Sequence, residues 1–389
     1  MIIAYKNRFV KEFFMKIELI GERKIVMQNE RSKHNYFAWP TVARLGDGRI
    51  AVGASGFRID HICPFGKSVI CYSDDEGESY TIPQVIVDTC LDQRDTGLLA
   101  VDEKTFILTT FNNSVAYQRR VNERRTDGMC PLKRAYIKAY LETVTPEEEV
   151  NSRICSSFSV TRDGGKSFSD NYPAPVTSPH GPMKLSDGRI IWVGAHFPNE
   201  GGIAVYEINI DDGSASYIST IDTSIIANDS CNACEPYAIE STDGRILCFI
   251  RADSKDNWKR KFTIYQCESS DGGRTFSEPR QIFEDRGGGP AHVMRHSSGA
   301  LIISTGLRDK PFGIRVARSL DEGRSWEAPE LVYTAEYLLG DWITGDRSCD
   351  IGYPSTVELK DGSLLTVFYA YPKDCAHAVI MQQRWKIVE

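Results

Sequence analysis

Six apolar hairpins in this sequence begin and end beside residues that can move protons or grip anions. Before the first strand of each stand Trp39, Arg94 with Asp95, His180, Glu235, His292 and Tyr353; after the second stand Arg58, Asn112, His196, Arg251, Arg308 and Tyr369. Carboxylates, imidazoles and phenols exchange protons in catalysis, and a planar guanidinium holds a carboxylate through two parallel hydrogen bonds. Gathered at one rim of a rigid scaffold, this set would form a binding or reaction site. Each residue also has a plainer reading. Tyr353 can be packing, Arg251 a surface ion pair, and His180 and His292 satisfied rim histidines.

The elements that would gather them are repeats. The hairpins run Pro40–Ala54, Gly97–Phe111, Gly181–Ala195, Pro236–Ile250, Ala291–Thr305 and Pro354–Phe368, at intervals of roughly 55 to 85 residues, most of them around an Asp-Gly turn. Two apolar runs about such a turn make a β-hairpin, and six make six blades. Out of phase with them a motif S/T-x-D-x-G-x-S/T-aromatic occurs four times, at Ser73–Tyr80, Thr161–Phe168, Ser269–Phe276 and Ser319–Trp326, with a worn copy at Asp211–Gly213. Its Asp can accept from the backbone of its own turn, its Gly allows the corner, and its aromatic packs inward. These aspartates are structural staples. The expectation is an all-β, six-bladed β-propeller with four-stranded antiparallel blades and Asp-box hairpins. Ala378–Val388 and Ile17–Val26 should share one blade and close the ring.

Composition limits the alternatives. Hydrophobic residues at 41% and charged residues at 25% describe an ordinary globular chain. A net charge of −7 argues against a nucleic-acid partner, and no apolar run is long enough for a membrane span. Eleven scattered cysteines suit reduced thiols, hence a cytoplasmic setting. The Cys231/Cys234 pair has no second pair at zinc spacing, so neither a metal nor a cofactor is expected. Residues 1–14 read as a poorly ordered extension and 15–389 as a single propeller, with a charged, partly helical insertion at about 114–152 in blade two. The sequence does not set the oligomeric state.

Through its Asp boxes and rim residues the chain resembles the bacterial exo-sialidases and their wider Asp-box superfamily. In that family a tyrosine paired with a glutamate is the nucleophile, an aspartate of the first blade is acid/base, and three arginines grip the sialic-acid carboxylate. The resemblance implies Tyr353 as nucleophile, Glu235 as its base, Asp60 in Gly56–His61 as acid/base and Arg251 as one arginine, acting on a small glycan. Ala38, in Phe37-Ala-Trp-Pro40, stands where the family has its first arginine. Arg58 or Arg94 is then the expected replacement, and Arg308 or Arg315 the third. Because a sialic acid carries its carboxylate on the anomeric carbon, a neutral phenol attacks it with less charge repulsion than a carboxylate would. Two other classes stay open. One is altered chemistry on the same propeller, a glycosidase for another sugar or a lyase using His180 and His292. The other is a non-catalytic carbohydrate-binding propeller presenting Trp39, Trp258 and Tyr369.

Overall fold

The computed structural model describes residues 15–124, 130–197, 202–227, 231–254, 263–283, 288–308, 310–335, 350–373, 375 and 377–388. Residues 1–14, expected to be poorly ordered, and Trp258 lie outside them. Six antiparallel sheets form a six-bladed propeller. From the axis outward, blade I runs Tyr36–Arg44, Ile50–Arg58, Lys67–Ser73 and Gln84–Val87; blade II runs Asp92–Ala100, Phe106–Asn113, Ser156–Thr161 and Tyr172–Ala174. Blade IV has Cys231–Glu240, Ile246–Ser254, Thr263–Ser269 and Arg280–Gln281, and blade V has His292–Arg295, Leu301–Leu307, Gly313–Ser319 and Glu330–Thr334. The sequence hairpins are the two innermost strands of each blade. Blade III departs from the pattern, because its innermost strand is broken into Val176–Thr177 and Met183–Lys184, both paired to Ile190–His196. Ile203–Ile208 and Ala215–Ile221 complete it.

Blade VI closes the ring. Its strands Gly352–Glu358, Leu364–Ala370 and Val379–Val388 are joined at the outer edge by Lys16–Met27, paired from Lys16 opposite Val388 to Met27 opposite Ile380 with register shifts between Ile20 and Lys24 and between Ile25 and Met27. Apolar clusters bridge every neighbouring pair of blades, so the core is six joints and not one centre. Met15 is buried in the joint of blades V and VI with Phe368 and Trp385.

The four boxes lie between the third and fourth strands of blades I, II, IV and V. In the first, Ser73 donates to Asp75 at 2.8 Å, and Asp75 accepts from the Ser79 amide (2.8 Å) and hydroxyl (2.6 Å). The other three repeat this network around Asp163, Asp271 and Asp321. Each closing aromatic enters the joint with the preceding blade. Trp326, for example, joins the cluster of Phe249 and Leu301 and donates to Gln266 at 2.9 Å. The worn copy occupies the same hairpin of blade III, its turn held by Asn209 and Asp212. Blade VI has no such hairpin to staple, since its outermost strand comes from the other end of the chain.

Between the second and third strands of blade II run three helices, α1 (Val115–Arg124), α2 (Pro131–Thr143) and α3 (Pro146–Ser152). Thr145 and Glu148 form a capping box that starts α3. Ile137 and Leu141 of α2 bury against Ile59, Cys63 and Leu91, which ties the helices to a loop of blade I. Among the described residues no helix is long and apolar enough to cross a membrane.

Candidate active site

At the end of the innermost strands opposite the Asp-Gly turns, pairing slips at the same level in four blades. Register shifts fall between Ala38 and Thr41, Arg94 and Gly97, Cys234 and Tyr237, and Gly352 and Ser355. Inside each slip one side-chain-bearing residue takes a left-handed backbone: Trp39 (φ 54°), Asp95 (45°), Glu235 (48°) and Tyr353 (52°). A bulge adds a residue to one strand and re-aims its side chain, and such a conformation costs on the order of 1–3 kcal/mol. The cost falls where the reactive groups are. Pro40, Pro236 and Pro354 follow three of the four, so no ladder amide is left to satisfy at those steps. The sequence reading put these residues before the strands. The bulges instead let the strands run on past them, to Tyr36, Asp92, Cys231 and Gly352.

Tyr353 donates its hydroxyl to Glu235 Oε1 at 2.5 Å. Arg251 Nη1 binds the other Glu235 oxygen and reaches the phenol oxygen at 3.5 Å, while Nη2 is 3.4 Å from Asp253. On the far side Arg308 sits 5.9 Å from the Tyr353 ring centroid and donates to the Ile351 carbonyl and the Tyr369 hydroxyl, both at 2.8 Å. Burial pushes the Tyr353 phenol well up, Glu235 and Asp95 add to this, and Arg251 and Arg308 oppose it. The phenol is therefore neutral until a base takes its proton, and Glu235 is hydrogen-bonded to that proton. Burial also pushes the Asp95 carboxyl up to about 7, with Arg94 opposing and Glu235 adding. Arg94 lies 3.8 Å from the Trp39 ring centroid and donates to the His61 carbonyl at 2.8 Å.

The loop after the second strand of blade I rises beside this floor. Arg58 is wholly buried beneath it, paired with Asp92 at 2.5 Å and donating to the carbonyls of Asp60 (3.2 Å) and His61 (2.7 Å). It braces the loop and does not face the mouth. Asp60 accepts from the His61 amide at 2.8 Å, its carboxylate is 3.9 Å from Lys133 of α2, and its side chain is 17% exposed.

Sequence reasoning missed a hub at this mouth. Asp350 accepts from Tyr369 (2.7 Å), Tyr36 (2.8 Å) and Tyr371 (3.4 Å), and lies 3.2 Å from His61 Nδ1. Burial would raise its carboxyl, but His61, Arg308 and Tyr369 hold it below the usual carboxylate range. The only signal was adjacency: Asp350 is three residues from Tyr353, Tyr371 two from Tyr369, and His61 next to Asp60.

Other rim candidates lie apart from the Tyr353–Glu235 pair. His180 and His292 sit one layer down the axis, their ring centroids 5.2 Å apart, with Tyr237 stacked on His292 at 4.9 Å. His180 is 3.0 Å from the Thr41 hydroxyl, and His292 accepts from the Thr356 amide at 3.3 Å. Burial pushes His292 down to about 3 and His180 well down as well, where His292 adds to it, so both are neutral. Arg315 fills the joint of blades IV and V, donating to Thr305 at 2.9 Å and lying 5.1 Å from the Phe283 ring. Asn112 anchors the end of the insertion through the Arg153 carbonyl and the Cys155 amide. His196 pairs with Val176 in blade III and meets Tyr206 edge-on.

A family model described as a BNR repeat-like domain matches residues 143–366. No curated protein matches the sequence. Among solved structures, a Dyadobacter fermentans protein of unknown function is similar at 18% identity and a TM-score of 0.71, over 96% of this chain and 99% of that one. The NanB sialidase from Streptococcus pneumoniae is similar at 12% identity and a TM-score of 0.65, over 95% and 71%. A mutant of the α-L-arabinofuranosidase arb93a from Fusarium graminearum, in complex with an iminosugar inhibitor, is similar at 11% identity and a TM-score of 0.58, over 94% and 98%. These likenesses concern the fold. On the family match, which spans more than half of its length, the chain belongs to the BNR repeat-like domain family.

Proposed function

We propose that the protein is a retaining exo-glycosidase of the sialidase type, acting on a terminal sugar whose anomeric carbon bears a carboxylate. The carrying observation is the 2.5 Å hydrogen bond from the Tyr353 hydroxyl to Glu235. Arg94, Arg251 and Arg308 are all close enough for their charge to couple to that phenol. Three cations about a neutral nucleophile suit a carboxylated sugar. Arg94 then supplies the charge that Ala38 lacks, and Arg308 serves as the third arginine in preference to Arg315.

Glu235 takes the phenol proton as the Tyr353 oxygen attacks the anomeric carbon. The bond to the leaving oxygen breaks, and that oxygen takes a proton from Asp60. In the second step the Asp60 carboxylate takes a proton from water, the water oxygen attacks the anomeric carbon, and Tyr353 departs, recovering its proton from Glu235. Asp60 suits the donor's role better than Asp95 for a geometric reason. Nucleophile and proton donor act on opposite faces of the sugar. Asp95 shares the floor with Tyr353, whereas Asp60 is on the loop beside it. Burial, which pushes the Asp95 carboxyl up to about 7, favours its neutral form below that pH. The ten described cysteines are free thiols, which suits a reducing cytoplasm.

The test is release of a fluorogenic leaving group from an α-sialoside, alongside α-L-arabinofuranoside and uronide substrates, by wild type and Tyr353→Phe. Sialoside turnover that falls by about 10³-fold or more in the variant supports the reading. Turnover of a neutral or uronic sugar alone would mean altered chemistry on the same propeller, and binding without turnover a carbohydrate-binding module.

A further inference from the structure

The insertion of blade II stands against the loop that carries Asp60. Lys133 of α2 is 3.9 Å from the Asp60 carboxylate, and residues three and seven further along a helix lie on that same face. Those residues are Tyr136 and Tyr140. Tyr136 is stacked on Phe65 of the loop, with centroids 5.0 Å apart and planes at 18°, and Tyr140 meets Phe65 at 4.7 Å. His34 closes the edge of Phe65 at 4.8 Å. The assembly is rigid, because Ile137 and Leu141 are buried beneath it with Ile59 and Cys63. Yet Tyr136 itself remains 48% exposed. One face is backed by Phe65, His34 stands edge-on at 6.3 Å, and about half of the surface is open to solvent, one helical turn from Lys133.

We propose that α2 and the Asp60 loop form a leaving-group subsite, in which the sugar ring next to the scissile bond stacks on Tyr136 and takes a hydrogen bond from Lys133. This rests on the reading of Asp60 as the group that protonates the leaving oxygen. A leaving group must extend past its proton donor; Lys133 of α2 stands beside that donor, and Tyr136 follows one turn on along the same helix face. The axial C–H groups of a pyranose are weakly positive and match the negative face of an aromatic ring, while the phenol keeps its polar end in water. The ligand class is therefore a glycan of two or more rings. A simple aryl or alkyl glycoside would use only the floor.

Saturation-transfer NMR of 3′-sialyllactose on the catalytically blocked Tyr353→Phe protein tests this without requiring turnover. Saturation of both the sialic acid and the adjoining galactose is expected. In the double variant carrying Tyr136→Leu, which keeps apolar packing on Phe65 but loses the flat face, the galactose signal should fall while the sialic-acid signal persists; Tyr136→Phe should restore it. With Tyr353 intact, Tyr136→Leu should raise the KM for sialyllactose relative to that for sialyl fluoride, which has no leaving sugar, by about tenfold. Sialic-acid saturation with no galactose signal in the parent, or a galactose signal indifferent to Tyr136→Leu, overturns the subsite alone. Saturation of neither ring overturns both the subsite and the reading of the floor beneath it.

Discussion

The two rims of this propeller are both rich in carboxylates, and they hold them in opposite ways. On the Asp-box side each carboxylate serves its own turn. Asp75 and Asp163 each accept from two hydroxyls and from backbone amide groups within four residues, lie at the surface, and are drawn below the usual range chiefly by Ser79 and Ser167. At the mouth the carboxylates belong to neighbours far away in sequence. Glu235 of blade IV binds Tyr353 of blade VI, Asp350 collects Tyr36 of blade I, and Asp95 is buried on a strained backbone with its proton retained to about 7. A carboxylate satisfied by its own turn is spent on shape. One shared between blades, on backbone that costs energy to hold, remains available for chemistry.

Substitutions on the two rims should separate cleanly. The largest effect is expected at the mouth, where Glu235→Gln keeps the side-chain shape but removes the base. We expect kcat to fall by about 10²–10⁴-fold, measured on whichever substrate the panel identifies, with a melting temperature close to wild type. Removing a staple should do the reverse. Asp321→Ala deletes three local hydrogen bonds and should cost about 1–2 kcal/mol in denaturant unfolding, with kcat and KM unchanged. A loss of activity equal to the Glu235→Gln loss would erase the distinction between the rims.

A subtler effect depends on pH. Folded Asp95 keeps its proton up to about 7, whereas in the unfolded chain it ionises near 4. Its contribution is fully present below the unfolded value and is lost as pH rises through about 7. Asp95→Asn, which cannot ionise, should therefore melt progressively higher than wild type as pH is raised from 5 to 8, with the gap closing at acid pH. Ionised Asp95 also pushes the Tyr353 phenol up, so wild-type kcat/KM should decline above pH 7 and the variant's should decline less. A gap in melting temperature that is the same at both ends of the range would remove Asp95 from this account.

Much of this was legible in the sequence because repeats carry it. The repeated hairpins placed all six blades, four of them marked by an Asp-Gly turn, the boxes placed four outer hairpins, and the strand ends pointed to Tyr353, Glu235 and Arg251 as one group. What escaped has physical causes. A bulge adds one residue at a place periodicity cannot see, so Trp39, Asp95, Glu235 and Tyr353 were put just outside strands that contain them. Blade III interrupts its innermost strand, and His180 falls in that break, a layer below the floor. The Asp350 hub joins Tyr36 to a partner 314 residues away, and no local pattern announces such a pairing. Arg58 and Arg94 looked interchangeable in sequence. Both pair with Asp92 and both lie over the Trp39 ring; they differ in that Arg58 is wholly buried at 2.5 Å from Asp92, whereas Arg94 is 3.5 Å from Asp92 and keeps 10% of its side chain exposed.

The seam of the ring has a consequence for synthesis. Lys16–Met27 precedes the other strands in sequence but, among the described residues, pairs with Val379–Val388, so in synthesis it must wait as an open β-edge while the five intervening blades are made. Such an edge invites pairing with another nascent chain. Lys16, Glu18, Glu22, Arg23 and Lys24 place charge along this strand, which keeps it soluble and unclaimed until its own partner arrives.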